Sequence, residues 1–162
     1  MLSQTLHSAF NEQINREIHS AYIYRALASV MTAQSFPGMT SWMKKQAEEE
    51  IEHAEKLITF VEDRGNPVVF GAIDKPEADV SSPVAAFEAA LAHEKKITGH
   101  IGDLYRMALA EEDYASQVLL QWFIDEQVEE EASVGLVVDR LKLAGNDGMG
   151  LLLIDSELNE RE

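Results

Sequence analysis

The sequence of 162 residues has no cysteine, no long hydrophobic run and few basic residues. Without cysteine it cannot form disulfides, thiolate metal sites or cysteine-ligated iron–sulfur clusters, and it has no cysteine nucleophile. The longest purely apolar run near the end, Leu151 to Ile154, is far too short to span a bilayer. The first residues lack the basic segment and apolar core of a signal peptide, so we expect a cytoplasmic protein.

Positive charge is also scarce, since 13 Lys and Arg stand against 29 Asp and Glu, giving a net charge of −16. Nucleic acids and anionic membranes attract cationic proteins, so we expect neither as a partner. An acidic protein would instead concentrate cations. Hydrophobic residues at 46% and charged residues at 26% are typical of a folded soluble protein, and the length fits one domain over residues 1–162.

Apolar residues recur in steps of three or four along four long segments, which predicts four helices. We place them at residues 5–33, 39–64, 83–110 and 114–144. No glycine or proline marks the third break. It is placed near Glu111 to Asp113 because a single helix from Pro83 to Ala144 would be implausibly long. A short apolar helix at about 148–159 should pack against the rest of the chain or another subunit.

The connection from Gly65 to Ser82 decides the topology. Its eighteen residues, when extended, can span roughly 60 Å, whereas a helix of 26 residues is about 39 Å long. The connection can therefore run the whole length of a bundle and start the third helix parallel to the second. The sequence predicts an all-α four-helix bundle with one long crossover and a short fifth helix.

Each predicted apolar stripe is interrupted by polar residues. These are Glu17 on the first helix, Glu50 and His53 on the second, Glu94 on the third, and Gln127 and Glu130 on the fourth. A buried carboxylate costs several kcal/mol unless it is paired or binds a metal. Glu50 and His53 lie one helical turn apart, so both can reach one point. An oxygen donor beside an imidazole suits iron, manganese or zinc.

These interruptions also lie at matching depths. Counted from the turn between the first two helices, they are 14 to 19 residues away on either side. Counted from the turn between the last two long helices, they are 15 to 18 residues away. Equal distance from a turn means equal depth in antiparallel helices. We therefore expect all four helices to bring polar groups to a single buried site.

Converging carboxylates in a bundle core are typical of a dinuclear metal centre, with one Glu from each of two helices and Glu-x-x-His from the others. The ligands predicted for the first metal are Glu17, Glu50 and His53. Those predicted for the second are Glu94, Glu130 and the far oxygen of a bridging Glu50. The fourth helix departs from the pattern, with Gln127-x-x-Glu130 in place of a second Glu-x-x-His. Lacking a nitrogen donor, the second position is expected to bind metal more weakly.

The whole chain resembles a non-haem prokaryotic ferritin. The segments that carry the resemblance are N-E-Q-I-N-R-E-I-H-S-A-Y-I-Y, W-M-K-K-Q-A-E-E-E-I-E-H-A, A-H-E-K and W-F-I-D-E-Q-V-E-E-E-A-S, one from each long helix in turn. The resemblance implies the ferritin-like fold and a ferroxidase that oxidises Fe(II) with O₂. It also implies storage of the product as a ferric oxyhydroxide mineral inside a hollow homo-oligomeric shell of 24 subunits. Two irons per subunit would occupy the centre described above, with Gln127 adjacent.

The resemblance further implies a third iron site at Glu49, Glu126, Glu129 and Glu130. From the residues alone, three acids along one helical edge are also typical of a solvated face. It likewise matches Tyr24 to a tyrosine beside the centre. Tyr24 is seven residues from Glu17 on the same face, and a core tyrosine with a hydrogen-bonded hydroxyl explains it equally well.

Other aromatic and histidine residues have simpler interpretations. Trp122 matches a nearby aromatic of the family, but we expect it and Trp42 to be core packing first. The remaining histidines fall off the stripes and are expected at the surface: His7, His19, His93 and His100.

Three alternatives can be weighed from sequence. Bacterioferritin has a histidine where Glu130 stands and a haem-ligating methionine where Glu52 stands, so we expect no haem. Rubrerythrin-like peroxidases carry a cysteine-ligated iron domain, which this chain cannot form. A metal-free acidic bundle acting as a binding module would leave four inward carboxylates unpaired, and the metal content of the purified protein would distinguish it.

Overall fold

Five α-helices form the secondary structure of residues 1–159, the part of the chain that this computed structural model describes. They are α1 (Gln4–Ala33), α2 (Pro37–Asp63), α3 (Pro83–Ala110), α4 (Tyr114–Ala144) and α5 (Gly148–Asn159). The predicted helix ends agree to within two residues, and the all-α bundle with one long crossover is confirmed. Positions 160–162 of the expected domain lie outside the described residues.

Local capping explains where α1 and α3 begin. The hydroxyls of Ser3 and Ser82 accept hydrogen bonds from the backbone of Leu6 and Ala85, as N-cap side chains do. Pro83 fills the first turn of α3, where its missing N–H costs nothing. These caps satisfy backbone donors that a helix cannot satisfy internally.

The turn between α3 and α4 is made without glycine. Glu112 adopts the left-handed conformation instead, with φ at 52°. The side chain of Asp113 then caps α4 by accepting from the backbone of Ser116 at 2.9 Å. It also receives two hydrogen bonds, of 2.8 and 2.7 Å, from the guanidinium of Arg64 at the end of α2. This pairing fixes the start of α4 beside the end of α2 and holds the pKa of Asp113 well below its usual range.

The core consists of two apolar clusters. One is built around Trp42 and Phe87, and the other around Phe10 and Leu57. The predicted polar interruptions fall between these clusters in sequence on every long helix. A polar layer therefore separates two apolar layers of the bundle.

Two leucines on the apolar stripes of α3 and α4 are less buried than the periodicity predicts. Leu91 and Leu119 are only half-buried, while their neighbours Ala90 and Leu120 are buried. A helix packed between two others buries a face broader than one row of side chains, so neighbouring positions share the burial. Trp42 lies in the core as expected, but Trp122 is 37% exposed, so the expectation that it packs in the core was wrong.

Residues 64–82, the crossover segment, lie along α1. Two asparagines of α1 hold it, since Asn11 accepts from the backbone N–H of Val69 and Asn15 accepts from that of Gly71. Val69 and Phe70 are exposed.

Helix α5 packs on α2 and α4. The buried carboxylate of Asp155 accepts a hydrogen bond of 2.8 Å from the backbone of Met39, in the first turn of α2. A side chain at Gly38 would place its Cβ only 1.7 Å from the carbonyl oxygen of Asp155, so glycine is required there for α5 to dock. No helix within residues 1–159 is both long and apolar enough to cross a membrane.

Candidate metal centre

A buried polar layer lies at mid-height in the bundle, with contributions from all four long helices. The six side chains predicted for the di-iron centre are each 5% exposed or less: Glu17, Glu50, His53, Glu94, Gln127 and Glu130. Four carboxyl groups in a dry core repel one another and are poorly solvated, so they require hydrogen bonds, protons or cations.

The α1–α2 half of this layer brings three predicted ligands together. One ligand atom each from Glu17, Glu50 and His53 lie within 4.8 Å of one another. His53 Nδ1 is 3.6 Å from Glu50 Oε2, too long for a good hydrogen bond, so the two atoms face each other without a direct bond. Two carboxylates and one imidazole at this spacing are a donor set suited to a divalent transition metal.

One oxygen in this half supports cation binding directly. Glu17 Oε1 accepts a hydrogen bond of 2.7 Å from the amide of Gln13. Glu17 Oε2 is buried and accepts no hydrogen bond from an N–H or hydroxyl donor among residues 1–159, and the carboxyl group of Glu50 can donate to Glu17 only while it is protonated. An unsatisfied buried acceptor costs about 1–3 kcal/mol, more when it is charged. The residues present therefore fit a cation at this point.

The α3–α4 half is arranged differently, because its carboxylates already have donors. Glu94 accepts from the hydroxyl of Tyr24 at 2.5 Å and from the amide of Gln127 at 3.2 Å. Glu130 accepts from the amide of Gln46 at 2.7 Å. A metal bound here would compete with these donors for the same oxygens.

Burial makes the carboxyl groups hold protons more strongly. It raises the pKa of Glu94 and that of Glu130 to about 7 each. Burial, followed by the charges of Glu94 and Glu17, raises the pKa of Glu50 well above its usual range. Burial also raises the pKa of Glu17. A cation entering the layer would therefore displace protons, which makes its binding pH-dependent.

The tyrosine beside the centre is held in the neutral form. Burial raises the pKa of Tyr24 well above its usual range, and the negative charge of Glu94 adds to the shift. Its hydroxyl therefore stays protonated and can donate a hydrogen bond to Glu94. Both explanations considered from sequence, proximity to the centre and a hydrogen-bonded core hydroxyl, describe this tyrosine.

The acids of the predicted third site differ in how closely they approach the centre. His53 Nε2 is 3.8 Å from Glu126 Oε1, and His53, Glu126 and Glu130 form a second group with ligand atoms within 4.8 Å. Glu49 is half-buried and lines the same cleft of about 530 Å³ as Glu126. Glu129 is exposed and belongs to neither group.

Sequence reasoning missed the neutral side chains that hold the acids. Gln13 and Gln46 each lie four residues before a predicted ligand, and Thr98 lies four residues after one. Thr98 donates to Glu131 at 2.6 Å and receives the amide of Gln127 at 3.3 Å. A spacing of four residues places such donors on the ligand's own face, and this was the available signal.

Trp122 closes one side of His53. The edge of its ring faces the imidazole with centroids 5.5 Å apart. Lys56 lies over the Trp122 ring at 4.1 Å from the centroid. The indole therefore lies between the imidazole of His53 and the ammonium group of Lys56. These two contacts account for a partly exposed tryptophan at this position.

Several known proteins are similar to this chain. A family model described as the ferritin-like domain matches residues 7–144. The bacterial non-heme ferritin of Staphylococcus saprophyticus is 38% identical over 161 residues, which cover 99% of this chain and 96% of that protein. The bacterial non-heme ferritin of Staphylococcus aureus strain MRSA252 is 36% identical, with 99% and 97% covered. The solved "open pore ferritin" of the archaeon Archaeoglobus fulgidus is 42% identical, covers all of both chains and superposes with a TM-score of 0.98.

Proposed function

Because this chain belongs to the ferritin family, we propose that it oxidises Fe(II) with O₂ at its buried centre before the iron is stored. The chain is an iron-storage protein. Iron is its substrate and cargo. The observation that carries the oxidation step is the buried group of Glu17, Glu50 and His53, whose ligand atoms lie within 4.8 Å of one another.

The proposed ligands divide between two irons. The first iron would be held by Glu17, Glu50 and His53, and the second by Glu94, Glu130 and the far oxygen of Glu50. Glu50 would bridge them, in keeping with its position among the charges of the other three acids. Gln127 donates to Glu94 and is therefore a positioning residue, and so is Tyr24.

Pairing two irons suits the reaction. Each Fe(II) gives up one electron, so a pair can supply two electrons to one O₂, and four Fe(II) with four protons reduce O₂ to two waters. The carboxyl groups hold protons before the metal enters, since burial raises the pKa of Glu94 and that of Glu130 to about 7. Binding releases these protons inside the site where reduced oxygen needs them.

The third-site acids are proposed to receive iron that leaves the second position. Glu126 supports this role, because it lies near His53 on the cleft side of the centre. Replacing Glu49, Glu126 and Glu129 by alanine should spare the first oxidation of two irons per subunit. It should change later turnover or the O₂ consumed per iron, whereas unaltered kinetics over many turnovers would reduce the three acids to a solvated face.

We further propose that the protein works in the cytoplasm as a 24-subunit shell. Large apolar side chains exposed on one chain support an oligomer: Val118, Val128 and Leu136 on α4, and Leu152 and Leu153 on α5. Apolar surface of this extent is normally covered by partners. Analytical ultracentrifugation at neutral pH should find the shell, and a monomer or dimer would overturn this assembly.

The oxidation step is tested by Glu50→Ala in stopped-flow absorbance with Fe(II) and O₂. Because Glu50 would contact both irons, we expect the initial rate to fall by about a hundredfold. Glu48→Ala is the matched control, an exposed glutamate two residues away on the same helix. Wild-type initial rates in Glu50→Ala would show that the site is wrongly assigned.

A further inference from the structure

A chain of hydrogen bonds leads from the buried centre to the half-buried edge of the α3–α4 pair. The Gln127 amide donates to Glu94 Oε2 at 3.2 Å and to Thr98 Oγ1 at 3.3 Å. The hydroxyl of Thr98 in turn donates to Glu131 at 2.6 Å, and both of these residues are half-buried. The chain therefore links a proposed iron ligand to a threonine and a glutamate that lie outside the proposed ligand set.

The donors and acceptors of this chain are consistent with only one direction. The hydroxyl of Thr98 carries one hydrogen and has two acceptors, Glu131 at 2.6 Å and the backbone carbonyl of Glu94 at 3.1 Å. Whichever acceptor it serves, the hydrogen points away from Gln127. Thr98 Oγ1 therefore faces the Gln127 amide with its lone pairs, and the amide must present its nitrogen. The carbonyl oxygen of Glu94, which can only accept, lies 3.3 Å from the same nitrogen and requires the same orientation.

This orientation places an N–H group at the second metal position. Both oxygens of Glu94 have a donor, because Tyr24 holds Oε1 at 2.5 Å and Gln127 holds Oε2 at 3.2 Å. A cation that binds Glu94 Oε2 must displace the amide hydrogen, which carries partial positive charge. If the amide turned over, it would offer a carbonyl oxygen, a group that divalent cations accept as a ligand. Turning would also set the amide oxygen against Thr98 Oγ1 and the Glu94 carbonyl, acceptor against acceptor.

We propose that Thr98 is a positioning residue that holds Gln127 as a donor and thereby weakens the second metal position. This role rests on the proposed function, which identifies that position. It does not require the oxidation step, because it concerns only how tightly a divalent cation is held. The hydroxyl of Thr98 thus adds to the effect of the missing imidazole in making the two positions unequal.

Titration of the metal-free protein with Co(II), followed by calorimetry and by the visible absorption of the bound ion, tests this role. Co(II) is the probe because its binding is measured apart from Fe(II) oxidation. Thr98→Val removes the hydroxyl and keeps the shape of the side chain. It should tighten the second Co(II) by about tenfold, the effect of one hydrogen bond that no longer opposes the metal. The affinity for the first Co(II), at Glu17, Glu50 and His53, should be unchanged.

Two control variants separate the hydroxyl from a general loosening of the helix. Thr98→Ser retains the hydroxyl and should restore the native affinity for the second Co(II). Thr5→Val removes an exposed hydroxyl in the first turn of α1 and should leave both affinities as they are. Circular dichroism confirms that each variant is folded.

A double variant tests whether Thr98 acts through Gln127. In a Gln127→Leu background there is no amide to hold, so adding Thr98→Val should not tighten the second Co(II) further. An unchanged or weaker second affinity in Thr98→Val alone would overturn the proposal. Equal tightening with and without Gln127 would also overturn it, and so would a native protein that binds a single Co(II) in each bundle.

Failure of the oxidation step is distinguishable from failure of this role. If the Co(II) affinities change as expected while the native protein does not oxidise Fe(II) in stopped-flow absorbance, the proposed oxidation is wrong and the role of Thr98 stands. If Fe(II) is oxidised and the Co(II) affinities of Thr98→Val are native, the role of Thr98 is wrong and the oxidation stands.

Discussion

The two halves of the buried centre satisfy their carboxylates in different ways. In the α1–α2 half, one oxygen of Glu17 has no N–H or hydroxyl donor, and His53 supplies an imidazole. In the α3–α4 half, the acids Glu94 and Glu130 accept hydrogen bonds from neutral donors, and the imidazole is replaced by a carboxylate. The first half is arranged for a metal before one arrives, whereas the second must give up hydrogen bonds to bind one. Although both halves carry acidic groups, we therefore expect the α1–α2 half to bind a metal more tightly than the α3–α4 half.

The largest expected difference is in Fe(II) affinity, when one ligand is removed from each half in turn. His53→Ala should lower the affinity of the tighter Fe(II) by about a hundredfold, since it deletes the imidazole donor of the preformed group. Glu130→Ala should leave the tighter Fe(II) within about threefold of the native affinity and remove the weaker one. Anaerobic calorimetry with Fe(II) measures both steps. Equal loss of the tight step in both variants would contradict the proposed division of ligands.

The pH dependence of stability sharpens the comparison, because the α3–α4 acids must lose their protons while buried as pH rises. The folded-state pKa of Glu94 and that of Glu130 are each raised to about 7, mainly by burial. Between pH 4.5, the unfolded-state pKa of a glutamate, and pH 7, the folded state binds more protons than the unfolded state. The stability that these two protonated groups contribute is therefore complete below pH 4.5 and is lost as pH rises through 7. Each group contributes on the order of 3 kcal/mol to this loss.

Urea denaturation of the metal-free protein at pH 5.5 and pH 8 measures the effect. The double variant Glu94→Gln with Glu130→Gln cannot titrate at these positions and should show a flatter pH profile. If the native and double-variant profiles coincide, these two acids do not control the stability of the centre.

The smallest expected effect comes from the donor that holds Glu94. Tyr24→Phe removes the hydroxyl and leaves the ring, so the metal-free protein should lose about 1 kcal/mol of stability. The loss should shrink when Zn(II) is bound, because a metal can take the oxygen that the hydroxyl released. Tyr22→Phe, on the exposed face of α1, is the control. If Tyr24→Phe lowers the stability equally with and without Zn(II), the Tyr24 hydroxyl and the metal do not compete for the Glu94 oxygen.

The sequence was sufficient to predict the helices and the buried polar layer, and for a physical reason. Glu17, Glu50, Glu94 and Glu130 interrupt apolar stripes at one depth, and buried charge is too costly to occur there without a purpose. The hydrogen-bond donors gave a weaker signal, because a neutral residue such as Gln13 or Thr98 occurs in many solvated positions. Trp122 was misjudged because its neighbours in space, His53 and Lys56, come from another helix.

Turns and pockets were harder still to predict. Glu112 adopts a left-handed conformation that favours glycine, so composition alone could not mark that turn. His19, His93 and His100 were each expected at the surface, but they are half-buried and line a pocket between α1, α3 and the crossover segment. Only the packing of three separate segments brings them together.

Anomalous diffraction at the iron edge, from crystals soaked anaerobically with Fe(II), tests the central claim most directly. The account predicts two neighbouring irons at mid-bundle, the stronger peak bound by Glu17, Glu50 and His53 and the weaker by Glu50, Glu94 and Glu130. Iron found only outside the bundle, with the Glu17, Glu50 and His53 group empty at saturating Fe(II), would contradict it.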